Sequence, residues 1–318
     1  MPILPTLEDI QRAAKLIKQH IHRTPVITCQ SINALTGAKI YFKCENFQKV
    51  GAFKFRGACN ALFSLSDDDA QCGVATHSSG NHAQALALAA KLRGIKAHIV
   101  MPNNAPEVKK AAVKSYGGEI TYCEPTLAAR EAMLRKVVED TRAAEIHPYN
   151  DLRIIAGQGT AALELLEHTS ELDTVMAPVG GGGLLSGTAL VATSLSSKIE
   201  VVAAEPQGAD DAYRSFKAGK IIPSMNPHTI ADGLLTSLGD ITFPIIQERV
   251  KEIITVSEED ILLAMRHIWE RAKIVVEPSA AVPLGAVLAN PSFFSGKRIG
   301  MILSGGNIDL TLLKTLYS

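Results

Sequence analysis

The stretch VGAFKFRGACNAL, residues 50–62, places Lys54 between two phenylalanines in an otherwise apolar run. In apolar surroundings an ammonium group is disfavoured relative to the neutral amine, so the pKa of the lysine falls. A neutral lysine amine is a nucleophile that can attack the aldehyde of a carbonyl cofactor. An isolated lysine at a helix start more commonly extends its ammonium group into solvent. The interpretation of Lys54 therefore depends on what accompanies it.

Three loops that follow apolar strand patterns carry glycine, hydroxyl and amide residues. They are HSSGN at 77–81, GGGG at 180–183 and SGGN at 304–307. In open parallel α/β sheets, ligands bind where loops lead from the carboxyl ends of strands into helix N-termini. HSSGN is either a receptor for a carboxylate or an ordinary helix cap.

The glycine run allows backbone N–H groups to approach an anion closely at the positive end of a helix. It matches neither the dinucleotide pattern G-x-G-x-x-G nor the triphosphate pattern G-x-x-x-x-G-K-[ST]. Four glycines also lose much chain entropy on folding, which argues against a casual turn. A phosphate cradle together with a buried amine is the combination that pyridoxal phosphate requires.

The elements that must position these residues alternate along the chain. From residue 71 onward, short apolar runs alternate with amphipathic helical patterns, which is typical of βαβ units with parallel sheets. Gly94 and Gly117 stand where helices are expected to end. Residues 174–197 contain no charge but include the glycine run. They are therefore predicted to be a buried strand, a loop and a helix rather than a membrane span.

Composition narrows the classes of ligand. The chain has 318 residues, of which 47% are hydrophobic, and 32 basic residues balance 32 acidic ones. Neither a nucleic acid nor an anionic membrane is an expected partner of such a surface, so small molecules are the expected ligands. The five cysteines are scattered and are interpreted as reduced thiols of a cytoplasmic protein. The N-terminus predicts an amphipathic helix with a capping box from Thr6 to Asp9 instead of a signal peptide.

The order of these motifs resembles the fold type II pyridoxal-phosphate enzymes, and within them the serine racemase and serine/threonine dehydratase branch. The resemblance covers nearly the whole chain, from FKCENFQKVGAFKFRGACNAL through THSSGNHAQALALAAKLRG and PVGGGGLLSG to VVEPSAA and LSGGNIDL. It implies a tryptophan synthase β-like α/β fold with two open parallel-sheet domains and the active site in the cleft. The small domain, 53–147, would be inserted into a large domain made of 1–52 and 148–318.

The resemblance also implies which residues contact the cofactor. They are Phe53, Lys54, Asn81, Gly180, Gly181, Gly182, Gly183, Leu184 and Ser304. Lys54 would bind pyridoxal phosphate covalently, Asn81 would bond its ring hydroxyl and the glycine loop its phosphate. Ser304 would face the pyridine nitrogen. A hydroxyl does not force protonation of that nitrogen, so the cofactor is expected to favour β-elimination over transamination.

For catalysis, the resemblance pairs Lys54 with Ser79, which would exchange a proton on the opposite face of the cofactor. The substrate carboxylate is expected at Ser78, Ser79, Asn81 and His82, although His82 alone reads as a structural histidine. Arg130 either approaches a second carboxylate or is a surface arginine of an amphipathic helix. The expected activity is racemisation of serine, elimination from β-hydroxy amino acids, or both. 3-Hydroxyaspartate ammonia-lyase and L-threonine dehydratase are the alternatives.

Further ligands and partners are implied in the same way. Glu205, the Ala209 carbonyl and Asp211 would bind Mg²⁺, or Ca²⁺ or Mn²⁺, because hard cations prefer oxygen ligands. ATP as an effector near Lys49 and Asn307, and a homodimer, are further expectations. Two other functions stay open, a β-replacement synthase and a non-catalytic binding module. The synthases normally have threonines in the glycine loop, and an intact Lys54 argues against the module.

Overall fold

The computed structural model describes residues 4–169 and 171–312. Its strands are β1 Val26–Ile27, β2 Lys39–Cys44, β3 Val74–His77, β4 Ala97–Pro102, β5 Glu119–Cys123, β6 Ala144–Glu145, β7 Thr174–Pro178, β8 Glu200–Pro206, β9 Glu252–Val256 and β10 Arg298–Leu303. Its helices are α1 Leu7–Ile17, α2 Gln30–Thr36, α3 Lys54–Phe63, α4 Asp67–Ala70, α5 Asn81–Arg93, α6 Glu107–Ser115, α7 Leu127–Thr141, α8 Leu152–His168, α9 Gly183–Leu195, α10 Asp211–Ala218, α11 Thr242–Arg249, α12 Glu258–His267, α13 Pro278–Ala289 and α14 Pro291–Phe294.

The larger sheet has six strands in the order β1-β2-β10-β7-β8-β9. β1 is antiparallel to β2, and the other neighbours are parallel. Val201 and Ala203 of β8 belong to the hydrophobic cluster that includes buried residues of α8 and α9, whereas Val202 and Ala204 join the cluster of α12 and α13. Alternate side chains thus enter opposite cores, as expected for a parallel sheet covered on both faces.

The smaller sheet has four parallel strands in the order β5-β4-β3-β6. Together with the larger sheet it confirms the predicted α/β class with parallel sheets. All of its strands fall between residues 74 and 145. This supports the predicted domain boundaries, 53–147 and the two flanking segments, which stay a prediction.

Several local predictions are confirmed. The Thr6 side chain caps α1 and forms the capping box with Asp9. Gly94 ends α5 in the left-handed conformation at φ 76°, which glycine adopts without a steric penalty. Residues 174–197 form a strand, a loop and a helix. No helix of the described ranges is long and apolar enough to cross a membrane.

Glycines bring α3, α8 and α9 into close contact. A Cβ added to Gly157 would lie 2.7 Å from the Cα of Gly57, and one added to Gly187 would lie 2.6 Å from the backbone N of Gly159. Real Cβ atoms do not approach that closely, so only glycine allows these backbones to touch. The packing fixes the start of α3, which carries Lys54, relative to α9, which follows the glycine loop.

A buried cluster of four charges holds α3 from a second direction. Arg56, fully buried, bonds Glu45 through Nε at 2.7 Å and Glu164 through Nη1 at 2.9 Å. The Lys43 Nζ donates to Glu164 at 2.5 Å. Burial alone would lower the pKa of Arg56, but Glu45 and Glu164 raise it above its usual value. The sequence analysis missed this cluster, which ties β2, α3 and α8 together.

Removing one member of the cluster leaves the others buried and uncompensated. We expect Arg56→Ala to lower the free energy of unfolding by about 3–5 kcal/mol, the usual effect of breaking a buried ion pair. Arg12→Ala is the control, because Arg12 pairs with Asp9 while 70% exposed, and surface pairs contribute less than about 1 kcal/mol. Urea denaturation of both variants measures the difference. Equal effects of the two substitutions would contradict the role assigned to the cluster.

Candidate active site

Lys54 is the first residue of α3. Its Nζ donates a hydrogen bond to the Pro148 carbonyl at 2.8 Å and lies 5.2 Å from the centre of the Phe53 ring. Burial lowers the pKa of Lys54 to about 8, against the opposing effect of the Glu277 carboxylate. A substantial fraction of the amine is therefore neutral near physiological pH, as the apolar run around it predicts.

The segment before Lys54 is joined to the SGGN loop by backbone hydrogen bonds. The Phe53 N–H donates to the Ser304 carbonyl at 3.0 Å, and the Gly306 N–H donates to the Gly51 carbonyl at 2.9 Å. Ser304 itself is buried. The structure thus brings together Phe53, Lys54 and Ser304, although they are about 250 residues apart in the chain.

The glycine loop is surrounded by the protein's own atoms. A Cβ on Gly180 would lie 2.9 Å from the Leu234 Cα, and one on Gly181 would lie 2.4 Å from the Tyr149 ring. Gly182 has φ 88° and caps α9 without any side-chain acceptor for the first-turn N–H groups. These N–H groups, including that of the buried Leu184, form the positive end of a helix suited to an anion.

The HSSGN loop leads from β3 into α5. The Ser78 N–H donates to the Val100 carbonyl at 3.1 Å, and Ser79 follows it, half-buried. Asn81 begins α5. Its Nδ2 donates to Glu277 at 3.0 Å, and its Oδ1 accepts from Asn307 at 2.9 Å. Asn81 is therefore held against the same loop that contacts Phe53.

The His82 side chain is buried in the protein interior. His82 is only 2% exposed, with its Nε2 3.4 Å from the Ile146 carbonyl. Burial and the Lys54 charge hold the pKa of His82 well below its usual value.

Arg130 lies in the first turn of α7. The pKa of His77, at the end of β3, is lowered mainly by burial of its ring and next by the charge of Arg130. Arg130 thus lies near the carboxyl edge of the smaller sheet.

Glu277 belongs to the site, although sequence reasoning assigned it no role. It is 4% exposed, and burial raises its pKa to about 7. Its N–H donates to the Gly305 carbonyl at 3.0 Å. The available signal was a glutamate in the apolar run VVEPSAA, since acidic residues are seldom buried without a partner. Tyr149, against the glycine loop, was missed as well.

A second cluster of carboxylates lies at the end of β8. Glu205 accepts hydrogen bonds from the N–H groups of Ala212 and Tyr213 at 2.8 and 2.7 Å. Both oxygens of the buried Asp211 lack a hydrogen bond of normal geometry within the described ranges, although Ser224 is close enough to lower the pKa of this carboxyl. Burial raises the pKa of Glu205 to about 8 and that of Asp211 to about 6. Ala209 is in the short turn between them.

Comparison with known proteins agrees with this geometry. Residues 17–305 match the family model described as pyridoxal-phosphate dependent enzyme. The chain belongs to this family. It is 54% identical to a beta-hydroxyaspartate dehydratase of Paracoccus denitrificans over 98% of both chains. It is 50% identical to a serine racemase of Dictyostelium discoideum, again over 98% of both chains. The structure of maize serine racemase superposes with a TM-score of 0.96 at 48% identity, covering 99% of this chain and 98% of that one.

The predictions of a fold type II pyridoxal-phosphate enzyme and of its cofactor are thereby confirmed. The residues present also fit the cofactor on structural grounds. A buried amine of lowered pKa is available for its aldehyde, and the uncapped first turn of α9 is available for its phosphate. The roles of the individual residues stay predictions.

The pKa of Lys54 has a kinetic consequence in the cofactor-free protein. Only the neutral amine attacks an aldehyde, so uptake of pyridoxal phosphate should accelerate with pH and level off above about 8, the pKa that burial gives Lys54. Stopped-flow visible absorption measures this rate. Lys54→Arg should produce no lysine-bound absorption band at any pH. A midpoint near 10.5, the ordinary lysine value, would show that the amine is not desolvated.

Proposed function

We propose that this chain is a pyridoxal-phosphate-dependent ammonia-lyase of β-hydroxy amino acids, with 3-hydroxyaspartate as its preferred substrate. Its products would be the keto acid, oxaloacetate for 3-hydroxyaspartate, and ammonia. The observation that carries the substrate assignment is the state of Arg130. The similarity to the beta-hydroxyaspartate dehydratase supports the same reading.

The Arg130 Nε is buried and has no hydrogen-bond partner among the described residues. An unpaired buried donor costs about 1–3 kcal/mol, which a carboxylate ligand would offset by a bidentate, charge-assisted pair. Arg130 also contributes to the lowered pKa of His77, the first residue of HSSGN. A dicarboxylate substrate could therefore place one carboxylate at this loop and the second at Arg130.

The side chains divide the chemistry as follows. Bound pyridoxal phosphate withdraws electrons from the substrate Cα and so makes its proton acidic. The neutral Lys54 amine accepts that proton, and the β-hydroxyl takes up a proton and leaves as water. Hydrolysis of the released enamine by water then gives the keto acid and ammonia. The N–H groups that begin α5, with Ser78 and Asn81, orient the substrate α-carboxylate. His82 would contribute only its backbone N–H, because its neutral ring is buried.

The cofactor contacts follow from the same placement. Phe53 would pack against the cofactor ring, Asn81 would bond the ring hydroxyl, and Ser304 would face the pyridine nitrogen. Residues 180–184 would bind the phosphate through backbone N–H groups. The bonds joining Ser304 to Phe53 and Asn81 to Asn307 support the first three assignments, because they hold Phe53, Asn81 and Ser304 close to Lys54.

Arg130→Gln tests the substrate assignment. Loss of a charged bidentate contact of about 2–3 kcal/mol corresponds to roughly a 100-fold fall in kcat/KM for 3-hydroxyaspartate. The value for L-serine, which has no second carboxylate, should change less than about threefold. Arg135→Gln is the matched control, because Arg135 is an exposed arginine of the same helix. Equal losses on both substrates would refute the assignment.

Serine racemisation is the second candidate, favoured by Ser79 in the loop that opens α5 and by the similarity to serine racemases. A hydroxyl on the cofactor face opposite Lys54 could return a proton to Cα with inverted configuration. The turnover assay with L-serine tests racemisation when the amino-acid enantiomers are quantified together with the keto acids. D-Serine formed with pyruvate, and lost in Ser79→Ala, would identify racemisation.

We also propose that Glu205, the Ala209 carbonyl and Asp211 bind a divalent cation such as Mg²⁺. The oxygens of the buried Asp211, which lack a hydrogen bond of normal geometry among the described residues, support this, because hard cations take carboxylate and carbonyl oxygens. Millimolar magnesium should raise the Tm of the wild-type protein but not that of Asp211→Asn. Asp210→Asn, whose parent carboxylate pairs with Arg214, should respond like the wild type. A magnesium response that persists in Asp211→Asn would exclude this site.

We further propose that the protein is a cytoplasmic homodimer and that ATP binds near Lys49 and Asn307. The Asn307 Nδ2 donates to the Val50 carbonyl at 2.7 Å and to Asn81 at 2.9 Å. A nucleotide bound at Asn307 would therefore be separated from the cofactor by only two side chains, those of Asn307 and Asn81.

A further inference from the structure

We propose that Tyr149 is a positioning residue for the cofactor. Its ring holds the glycine loop, residues 180–183, in the conformation that binds the cofactor phosphate. This inference rests on the proposed role of that loop. It concerns a residue that no motif in the sequence marked and that contacts the loop from outside the HSSGN, GGGG and SGGN segments.

The contact between Tyr149 and the loop is closer than any residue other than glycine would allow. A Cβ added to Gly181 would lie 2.4 Å from both Cγ and Cδ1 of the Tyr149 ring. A Cβ added to Gly183 would lie 3.0 Å from the Tyr149 Cβ. The loop backbone therefore passes directly against the aromatic ring. Gly181 is thus required by the ring of Tyr149 and Gly183 by the Cβ and backbone of the same residue, as much as either is by a ligand.

Thr242 also holds the loop. Its Oγ1 donates to the Gly181 carbonyl at 2.8 Å, and a Cβ on Gly182 would lie 2.9 Å from the Thr242 Cβ. Asn150, the neighbour of Tyr149, accepts a hydrogen bond from the Ile241 N–H at 2.9 Å. Residues 149 and 150 thus contact Gly181 and are hydrogen-bonded to the segment that contains Thr242, which contacts the same loop.

The same short segment also contacts the catalytic amine. The Pro148 carbonyl accepts the hydrogen bond from the Lys54 Nζ. His147 accepts hydrogen bonds from the N–H groups of Tyr149 and Asn150 at 3.3 and 2.9 Å, and its ring stands edge-on to Tyr149 at 4.6 Å. Pyridoxal phosphate must reach both Lys54 and the glycine loop at once. Residues 147–150 therefore set the distance between its two attachment points.

The ring of Tyr149, rather than its hydroxyl, makes this contact. Burial raises the pKa of Tyr149, and the hydrogen bond between its hydroxyl and Thr236 lowers it in part. The Asp211 and Glu131 carboxylates raise it again, so the phenol stays neutral. No charge is therefore available to attract or repel the phosphate. Phenylalanine at this position should preserve the function, whereas a small side chain should not.

The first test measures the dissociation constant of pyridoxal phosphate by visible absorption in cofactor-free protein. Tyr149→Ala should raise it about tenfold or more, since truncating a packed aromatic ring releases the loop, while Tyr149→Phe should stay within about twofold. Tyr41→Ala is the matched control, because Tyr41 is a half-buried tyrosine of β2 that packs on the same hydrophobic cluster as α9. Circular dichroism verifies that each variant is folded. Unchanged affinity in Tyr149→Ala, or an equal loss in Tyr149→Phe, would overturn the proposal.

The second test is a double-mutant cycle with Gly181→Ala. Gly181 is not among the glycines with positive φ, so alanine fits its backbone, and the three heavy atoms nearest the new methyl group all belong to the Tyr149 ring. Gly181→Ala should raise the dissociation constant of the cofactor. In the Gly181→Ala background, Tyr149→Ala should raise it by a much smaller factor than in the wild type, as expected for two residues in contact. Strict additivity would contradict the ring contact. If Gly181→Ala alone leaves affinity unchanged, the phosphate role of the loop fails instead, so the two proposals are separable.

Discussion

A lysine can accept a proton from a substrate and attack an aldehyde only while its amine is neutral, and burial of Lys54 increases the neutral fraction. The pKa of about 8 results from desolvation against the nearby Glu277 carboxylate. Much of the remaining structure maintains this environment. The Ser304 carbonyl bonds the Phe53 N–H ahead of the lysine, the Pro148 carbonyl accepts from its amine, and the glycine contacts of α3 with α8 exclude solvent behind it.

Buried charged groups in this protein follow two different rules. Arg56 stays charged because two carboxylates surround it and offset the loss of water. Glu277 and Glu205, in contrast, receive mainly neutral donors, so burial raises the pKa of Glu277 to about 7 and that of Glu205 to about 8. The first arrangement supports the fold around α3. The second produces groups whose protonation can respond to a ligand, which is typical of functional sites.

The glycine loop shows how one sequence feature can satisfy two requirements. Its N–H groups at the start of α9 are suited to an anion. Its missing side chains also let Leu234, Tyr149 and Thr242 approach from three directions. The glycines therefore do not make the loop flexible, because each position of the backbone is packed. An anion at this loop would therefore bind without the cost of ordering a mobile loop.

The sequence by itself determined the fold class, and the family resemblance of its motifs indicated the cofactor. Periodicity and caps are local properties, and parallel strands carry their loops to one edge, so the loops that contain Asn81, the glycine run and Ser304 could be predicted to share a site with Lys54. Only the tertiary structure decided that Glu277 faces Asn81, that Tyr149 supports the glycine loop and that Arg56 joins Glu45 and Glu164. It also decided that the His82 ring is buried and that the Arg130 Nε lacks an acceptor within the described ranges. Burial and pairing depend on residues distant in the chain, and no local pattern specifies them.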